Sequence, residues 1–134
     1  MWITEHSLEA SVEPGAIWRA WAAVERWPEW NADIESISVN GPFARGATIA
    51  MTPRGQERVR LTITEAVEGE LFVDEADVGG TSVRTTHRID GLDDGRVRIV
   101  YRLEADGPAA EQIGPAVSAD FPETIQALAE HAAK

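Results

Sequence analysis

Residues 81–106, TSVRTTHRIDGLDDGRVRIVYRLEAD, hold two runs of alternating residues on either side of an Asp-Asp-Gly turn. In the second run Val97, Ile99, Tyr101 and Leu103 alternate mainly with arginines. Because successive side chains of a strand point to opposite faces, each run predicts a strand with one buried and one exposed face. A connection this short joins neighbouring antiparallel strands, so the stretch predicts a β-hairpin.

The same pattern continues towards the N-terminus, with turn residues such as Asn40-Gly41-Pro42 and Gly79-Gly80 between the runs. It predicts strands at 2–12, 34–39, 46–52, 57–66, 70–78, 81–90 and 96–106. Seven strands with short connections predict one antiparallel sheet that has an apolar face and an exposed face rich in Arg, Glu and Thr. We expect the exposed arginines to pair with acids on neighbouring strands.

Two segments have helical periodicity instead. Residues 14–24 predict a short amphipathic helix that begins at Pro14 and ends before Pro28. Residues 109–132 predict a long C-terminal helix, with a kinked or broken first half because Gly114-Pro115 and Pro122 interrupt it. Its apolar stripe would comprise Ile113, Val117, Phe121, Ile125 and Leu128. Only this helix is long enough to cover the sheet, so we expect a cavity between the two.

The composition excludes several classes of protein. The chain has 134 residues, which fits one domain spanning 1–134, and no Cys, which excludes disulfides, a thiolate nucleophile and Cys-ligated metals. The net charge of −11 disfavours binding to nucleic acid or anionic lipid. No apolar run approaches the roughly 20 residues that span a bilayer, and the start lacks a signal-peptide pattern. We expect a cytoplasmic monomer or homodimer.

Cofactor and metal motifs are absent as well. The sequence has no Gly-rich phosphate loop, no nucleophile-elbow Gly-x-Ser-x-Gly and no His-x-x-x-His spacing. Three scattered histidines give little support for a metal site. We therefore expect neither a cofactor nor a metal.

Several motifs make the chain resemble the START-like (SRPBCC) superfamily, most closely its polyketide cyclase/dehydrase and lipid-transport group. These are Ile17-Trp18 with Glu25-Arg26-Trp27-Pro28-Glu29-Trp30-Asn31, Gly41-Pro42-Phe43 with Gly46, Thr86-His87-Arg88-Ile89, Asp94-Gly95-Arg96 and Asp106-Gly107-Pro108. The resemblance covers nearly the whole chain. It implies an α+β helix-grip fold, in which a curved seven-stranded antiparallel sheet wraps around a long C-terminal helix and short helices follow the first strand. It also implies a cup for apolar or amphipathic small molecules.

Three polar residues on otherwise apolar faces are candidate catalytic groups. His87 could act as a general acid or base or bind a ligand carbonyl, or it could be a core His bonded to a backbone carbonyl. Tyr101 could partner His87 or simply fill the core. Asp120 lies near the apolar stripe of the C-terminal helix, where its pKa could rise, or it caps the helix segment that restarts at Pro122.

Other residues are expected to line the cavity together with His87 and Tyr101. His6 lies on the apolar face of the first strand, near a sheet edge, where a structural role is the main alternative. Trp27 and Trp30 could form the mouth or the base of the cup, although Trp residues at such positions often belong to the core. The remaining members of the predicted lining are Val59, Leu61, Thr85, Ile99, Val117, Phe121 and Thr124.

These observations support two main hypotheses. The first is a protein that binds an apolar or aromatic, polyketide- or lipid-like molecule. The second is a cyclase or dehydratase for an enolisable substrate, in which His87 moves a proton, Tyr101 holds the enolate oxygen and Asp120 assists. The His87→Ala substitution would abolish turnover in the enzyme but only weaken binding in a carrier. A protein-interaction module would need an exposed apolar patch, which nothing in the sequence indicates.

Overall fold

The computed structural model describes residues 1–134 as one sheet of seven strands with three α-helices and a short 3-10 helix. The strands are β1 (Trp2–Ala10), β2 (Ile34–Asn40), β3 (Thr48–Pro53), β4 (Val59–Val67), β5 (Leu71–Val78), β6 (Thr81–Gly91) and β7 (Val97–Asp106). The helices are α1 (Pro14–Ala22), the 3-10 helix (Val24–Glu29), α2 (Ala110–Ser118) and α3 (Phe121–Ala132). None of the helices is long and apolar enough to cross a membrane.

The strands lie in the order β1-β7-β6-β5-β4-β3-β2, and all neighbours are antiparallel. Hairpins therefore build the sheet from β2 to β7, and β1 joins β7 as an edge strand. The predicted seven-stranded antiparallel sheet is confirmed. The pairing of β4 with β5 begins only at Thr62 opposite Glu75, so the first residues of β4 pair with β3 alone.

One face of the sheet, here called the inner face, points towards the helices. It comprises Trp2, Thr4, His6, Leu8 and Ala10 of β1, Ile37 and Val39 of β2, Ile49 and Met51 of β3, Val59, Leu61, Ile63 and Ala66 of β4, Phe72, Asp74, Ala76 and Val78 of β5, Thr81, Val83, Thr85, His87 and Ile89 of β6, and Val97, Ile99, Tyr101, Leu103 and Ala105 of β7. Trp21 of α1 and Leu128 of α3 are fully buried against it. Each such side chain stabilises the fold by roughly 1.5–3 kcal/mol through burial of apolar surface.

The opposite face carries ion pairs between arginines and acids on neighbouring strands, as the sequence predicts. Arg98 of β7 lies 2.9 Å from Glu9 of β1, and Arg84 of β6 lies 3.7 Å from Glu75 of β5. These groups are exposed, so water screens them and they add little to stability. Their arrangement leaves the inner face free of arginine.

The C-terminal segment forms two helices that meet at Ala119 and Asp120, so the predicted break is present. Pro122 lies in the first turn of α3, where its missing N–H costs nothing, whereas Pro115 stays within α2. The buried side of α2 lies one position further along the chain than the predicted stripe residues Ile113 and Val117. The buried residues of α2 are Ala110, Gly114 and Ser118. The continuous apolar stripe is thus interrupted, and Val117 is 40% exposed instead of facing the core.

Candidate functional site

A row of side chains crosses the inner face at the level of Tyr101. Tyr101 lies directly opposite His6 on β1 and His87 on β6, and His87 lies directly opposite Phe72 on β5. Residues in such positions have Cβ atoms about 4.5–5.5 Å apart, so their side chains touch. The structure therefore brings His87 and Tyr101 together, on the two strands of the hairpin that the sequence predicts.

The rings of this row pack with Trp21 into one aromatic cluster. Phe72 and His87 stack with centroids 3.9 Å apart and planes 4° apart, and Tyr101 meets His87 edge-on at 4.6 Å. The Trp21 ring lies 5.2 Å from Phe72 and 6.0 Å from His87. His87 is 8% exposed and Tyr101 4%. His87 and Tyr101 are therefore buried in the interior, where electrostatic interactions are strong because water is largely excluded.

The Tyr101 hydroxyl is oriented by α1. The indole Nε1–H of Trp21 donates a hydrogen bond of 3.1 Å to this hydroxyl oxygen. The Trp21 carbonyl in turn accepts a bond of 3.0 Å from Trp27 Nε1. Burial, together with the negative charges of Asp74 and Asp120, holds the pKa of Tyr101 well above its usual range. Tyr101 therefore keeps its own proton, which it can donate to a ligand oxygen.

Sequence reasoning missed a buried carboxyl group, Asp74. It lies on the inner face of β5, two residues after Phe72, and is 6% exposed. Its Oδ2 atom is 3.9 Å from His87 Nε2, and Thr85 lies directly opposite on β6. Burial, helped by the negative charge of Glu75, raises the pKa of Asp74 from 3.8 to about 7. The signal was present, because alternation along 71–78 places this single acid among apolar residues.

The tautomer and the protonation state of His87 follow from its neighbours. Nδ1 of His87 lies 3.2 Å from the carbonyl oxygen of Phe72, so Nδ1 carries the hydrogen and donates it. The other nitrogen, Nε2, is then an acceptor and faces Asp74. Burial lowers the pKa of His87 from 6.5 to about 3, although the Phe72 bond opposes this shift. His87 is therefore neutral near pH 7.

Asp120 occupies the position just before α3, but its side chain makes no capping hydrogen bond. Partial burial raises the pKa of Asp120 to about 6, and a hydrogen bond with the Asp33 carboxyl group and the charge of that group add to the rise. Asp120 is also near enough to raise the pKa of Tyr101. The Asp120 carboxyl group therefore lies near Tyr101, whereas the Asp74 carboxyl group lies near His87.

The other residues of the predicted lining differ in exposure. Trp27, Thr85, Ile99 and Phe121 are buried. His6, Trp30, Val59, Leu61 and Thr124 are half-buried. The His6 ring meets Phe121 edge-on at 6.1 Å, and Nε1 of Trp30 is buried with no hydrogen-bond partner. Leu61 and Trp30 pack against the hydrophobic core, whereas Val59 on β4 is not part of it.

The inner face is covered unequally. Helix α3 packs against α1 and against β1 and β7, the two strands at one edge of the sheet. On that side Ile99 and Leu103 are fully buried. On the other side Met51, Val59 and Leu61 are only half-buried, although they belong to the same face. The incomplete cover is confined to the part of β3 and β4 around these three residues, because Ile49 and Ile63 of the same two strands are fully buried.

The structure also has two surface clefts, and the larger one reaches Val59 at the edge of the inner face. One, of about 1010 Å³, opens where β4 and β5 diverge and has a mostly polar lining that includes Arg58, Arg60 and Asp77. The other, of about 230 Å³, lies between the 3-10 helix and the end of α3, against Trp30 and His131. Sites for apolar ligands have predominantly apolar linings. The inner face, and not either cleft, is therefore the candidate site.

A curved antiparallel sheet that packs around a C-terminal helix, with a few polar groups in an apolar interior, defines the helix-grip class of proteins. The family profile described as polyketide cyclase/dehydrase and lipid transport matches residues 1–133. The chain belongs to this family, which confirms the resemblance found in the sequence. No curated protein is significantly similar to the chain in sequence.

Solved structures share the fold at low sequence identity. Ara h 8.0201 is 16% identical with a TM-score of 0.76, and the match covers 98% of this chain and 97% of that protein. Norcoclaurine synthase from Thalictrum flavum, solved with dopamine and hydroxybenzaldehyde, is 14% identical with a TM-score of 0.76, over 96% and 84% of the two chains. The di-domain ARO/CYC StfQ from the steffimycin biosynthetic pathway is 12% identical with a TM-score of 0.80, over 97% of this chain and 50% of that protein. At these identities the likeness shows the fold alone.

Proposed function

We propose that the chain binds an apolar or aromatic small molecule, polyketide- or lipid-like, on the inner face of the sheet beside α3. The observation that carries this proposal is the half-buried apolar surface of Met51, Val59 and Leu61, on the same face of the sheet as the buried polar groups of Asp74 and His87. Ligand sites in proteins combine such apolar walls with a few convergent polar groups that fix orientation.

The fold and the family support the proposal. The family description names both polyketide chemistry and lipid transport. The norcoclaurine synthase structure holds two aromatic molecules, and StfQ comes from a biosynthetic pathway. A fold hosts many functions, so the function of this chain depends on its own side chains.

The Leu61→Gln substitution tests the site directly. Placing an amide on the apolar wall is expected to raise the Kd of a neutral fluorophore, N-phenylnaphthylamine, by roughly tenfold, because the ligand would have to desolvate it. The matched control is Arg60→Gln on the opposite face of the same strand, which is expected to change the Kd by less than about twofold. Fluorescence titration measures both values. Equal Kd values for both variants and the wild type would exclude this wall as the site.

The buried arrangement of Asp74, His87 and Tyr101 favours a second candidate, a cyclase or dehydratase acting on an enolisable polyketide-type substrate. A general base works best when its pKa is near the working pH. Burial raises the pKa of Asp74 to about 7 and lowers that of His87 to about 3, so Asp74 is the better base near neutrality.

In this mechanism the Asp74 carboxylate removes a proton from the carbon next to a substrate carbonyl group. The electron pair moves to the carbonyl oxygen, and the Tyr101 hydroxyl donates a hydrogen bond to the developing enolate. Trp21 holds that hydroxyl in position through the bond of 3.1 Å. Neutral His87 can bind a second polar group of the substrate through Nε2, and Asp120 is a candidate for assisting Tyr101.

A further inference from the structure

Two hydrogen-bond acceptors face each other on the inner face with no donor between them. His87 Nε2 is an acceptor, because Nδ1 carries the hydrogen that is donated to the Phe72 carbonyl oxygen. Asp74 Oδ2, which is an acceptor when ionised, lies 3.9 Å away. This separation is too long for a direct hydrogen bond. A ligand hydroxyl placed beside both atoms could donate its hydrogen to either one of them.

No positive charge accompanies these acceptors. None of the 12 Lys and Arg residues is buried, and none belongs to the inner face. The arginines of β6 and β7 lie on the opposite face, where they pair with acids such as Glu9 and Glu75. An anionic ligand would therefore be repelled by the negative charge of the Asp74 carboxylate in a region of low dielectric, where no cation offsets the repulsion.

We propose that Asp74 is a specificity-determining residue, which together with His87 Nε2 selects apolar ligands that carry an uncharged hydroxyl donor, such as a phenol or an enol, and rejects carboxylates. This inference rests on the proposed binding function. Under this proposal the site excludes free fatty acids and other carboxylates and favours hydroxylated aromatic molecules.

The protonation state of Asp74 sets the conditions under which this selectivity applies. The titratable groups around it are Glu75 on its own strand, His87 on β6 and Tyr101 on β7, with Asp120 on the far side of Tyr101. Burial raises the pKa of Asp74 to about 7, so the carboxyl group is ionised and accepts hydrogen bonds at about pH 8. Below this range it is neutral, and the rejection of carboxylates is expected to weaken.

Three naphthalene probes of similar size test the proposal at about pH 8: 2-naphthol, 2-methoxynaphthalene and 2-naphthoate. We expect 2-naphthol to bind about fivefold or more tightly than the methoxy compound, because the methoxy compound has no hydrogen to donate to Asp74 or His87. We expect 2-naphthoate to bind about tenfold or more weakly than 2-naphthol. In the Asp74→Asn variant, which has no charge at this position, the ratio of the naphthoate and naphthol Kd values should fall to about threefold or less.

The control variant is Asp77→Asn, which makes the same change on the exposed side of β5 and should leave all three Kd values unchanged. Calorimetric titration measures the affinities. Equal binding of 2-naphthol and 2-naphthoate to the wild type would overturn the proposal, as would an unchanged ratio in Asp74→Asn. Failure of all three probes to bind the wild type would instead contradict the proposed binding function itself, and this inference with it.

Discussion

The Asp74→Asn variant is expected to exceed the wild type in free energy of unfolding by roughly 2–4 kcal/mol at about pH 8, with nearly no difference at about pH 4. The reason is the cost of an ionised carboxylate in the aromatic interior. Burial raises the pKa of Asp74 from 3.8 to about 7. At about 1.36 kcal/mol per pKa unit, this interval corresponds to about 4 kcal/mol.

The sign follows from proton binding. Between about pH 4 and 7 the native protein keeps the Asp74 proton while the unfolded chain has lost it, so this group lowers stability as the pH rises. Above about pH 7 Asp74 is ionised in both the native and the unfolded state, and the loss of stability is complete. His87 acts in the opposite direction, because its pKa is lowered to about 3 and its contribution disappears as the pH falls from 6.5. The His87 effect is common to both proteins and cancels in the comparison.

Urea denaturation followed by tryptophan fluorescence at the two pH values measures this difference. Asp77→Asn is the matched control, since Asp77 is exposed on the same strand and its replacement should leave the stability difference between the two pH values unchanged. An Asp74→Asn variant that is no more stable than the wild type at about pH 8 would mean that the carboxylate is hydrated, and would contradict its placement in a dry interior.

The same variant is expected to lose activity if the chain is an enzyme. Catalysed exchange of the α-protons of an enolisable ketone, 2-tetralone, into heavy water should fall by roughly 100-fold or more in Asp74→Asn, because the positioned general base is removed. In the wild type the exchange rate should rise with pH through about 7, as Asp74 loses its proton. Proton NMR measures the loss of the α-proton signal.

Two further variants distinguish the roles in this reaction. His87→Ala should reduce exchange less than Asp74→Asn if Asp74 is the base, and should abolish it if His87 moves the proton. His131→Ala, in the last turn of α3, is a control that should leave the rate unchanged. A wild-type protein that binds 2-tetralone without accelerating exchange would eliminate the enzyme hypothesis and leave binding as the function.

The architecture was largely predictable because it depends on local patterns. Alternation along 81–106 predicts the β6–β7 hairpin, and the register of that hairpin places Tyr101 opposite His87. The break in the C-terminal segment was predictable from its prolines, since their effect on the backbone is local. The exposed arginines followed from the same alternation, because an outward guanidinium on one strand meets an acid on the next.

The rest depends on contacts that no local pattern specifies. The approach of Trp21 to Tyr101 joins residues 80 positions apart, through the docking of α1 on the sheet. The exposure of Val117 follows from how α2 docks on the sheet, with Gly114 and Ser118 facing inward and the Trp2 ring packed against Gly114. Asp74 was detectable by alternation, but its proximity to His87 depends on the pairing of β5 with β6.

Native mass spectrometry would show whether the chain holds an apolar ligand on its inner face. The protein as purified and the protein incubated with N-phenylnaphthylamine would be compared, with an organic extract of the first sample analysed in parallel. We expect a one-to-one adduct in at least the incubated sample, and a weaker adduct in the Leu61→Gln variant than in Arg60→Gln. The mass of the bare chain in every sample, together with an extract free of apolar compounds, would contradict it.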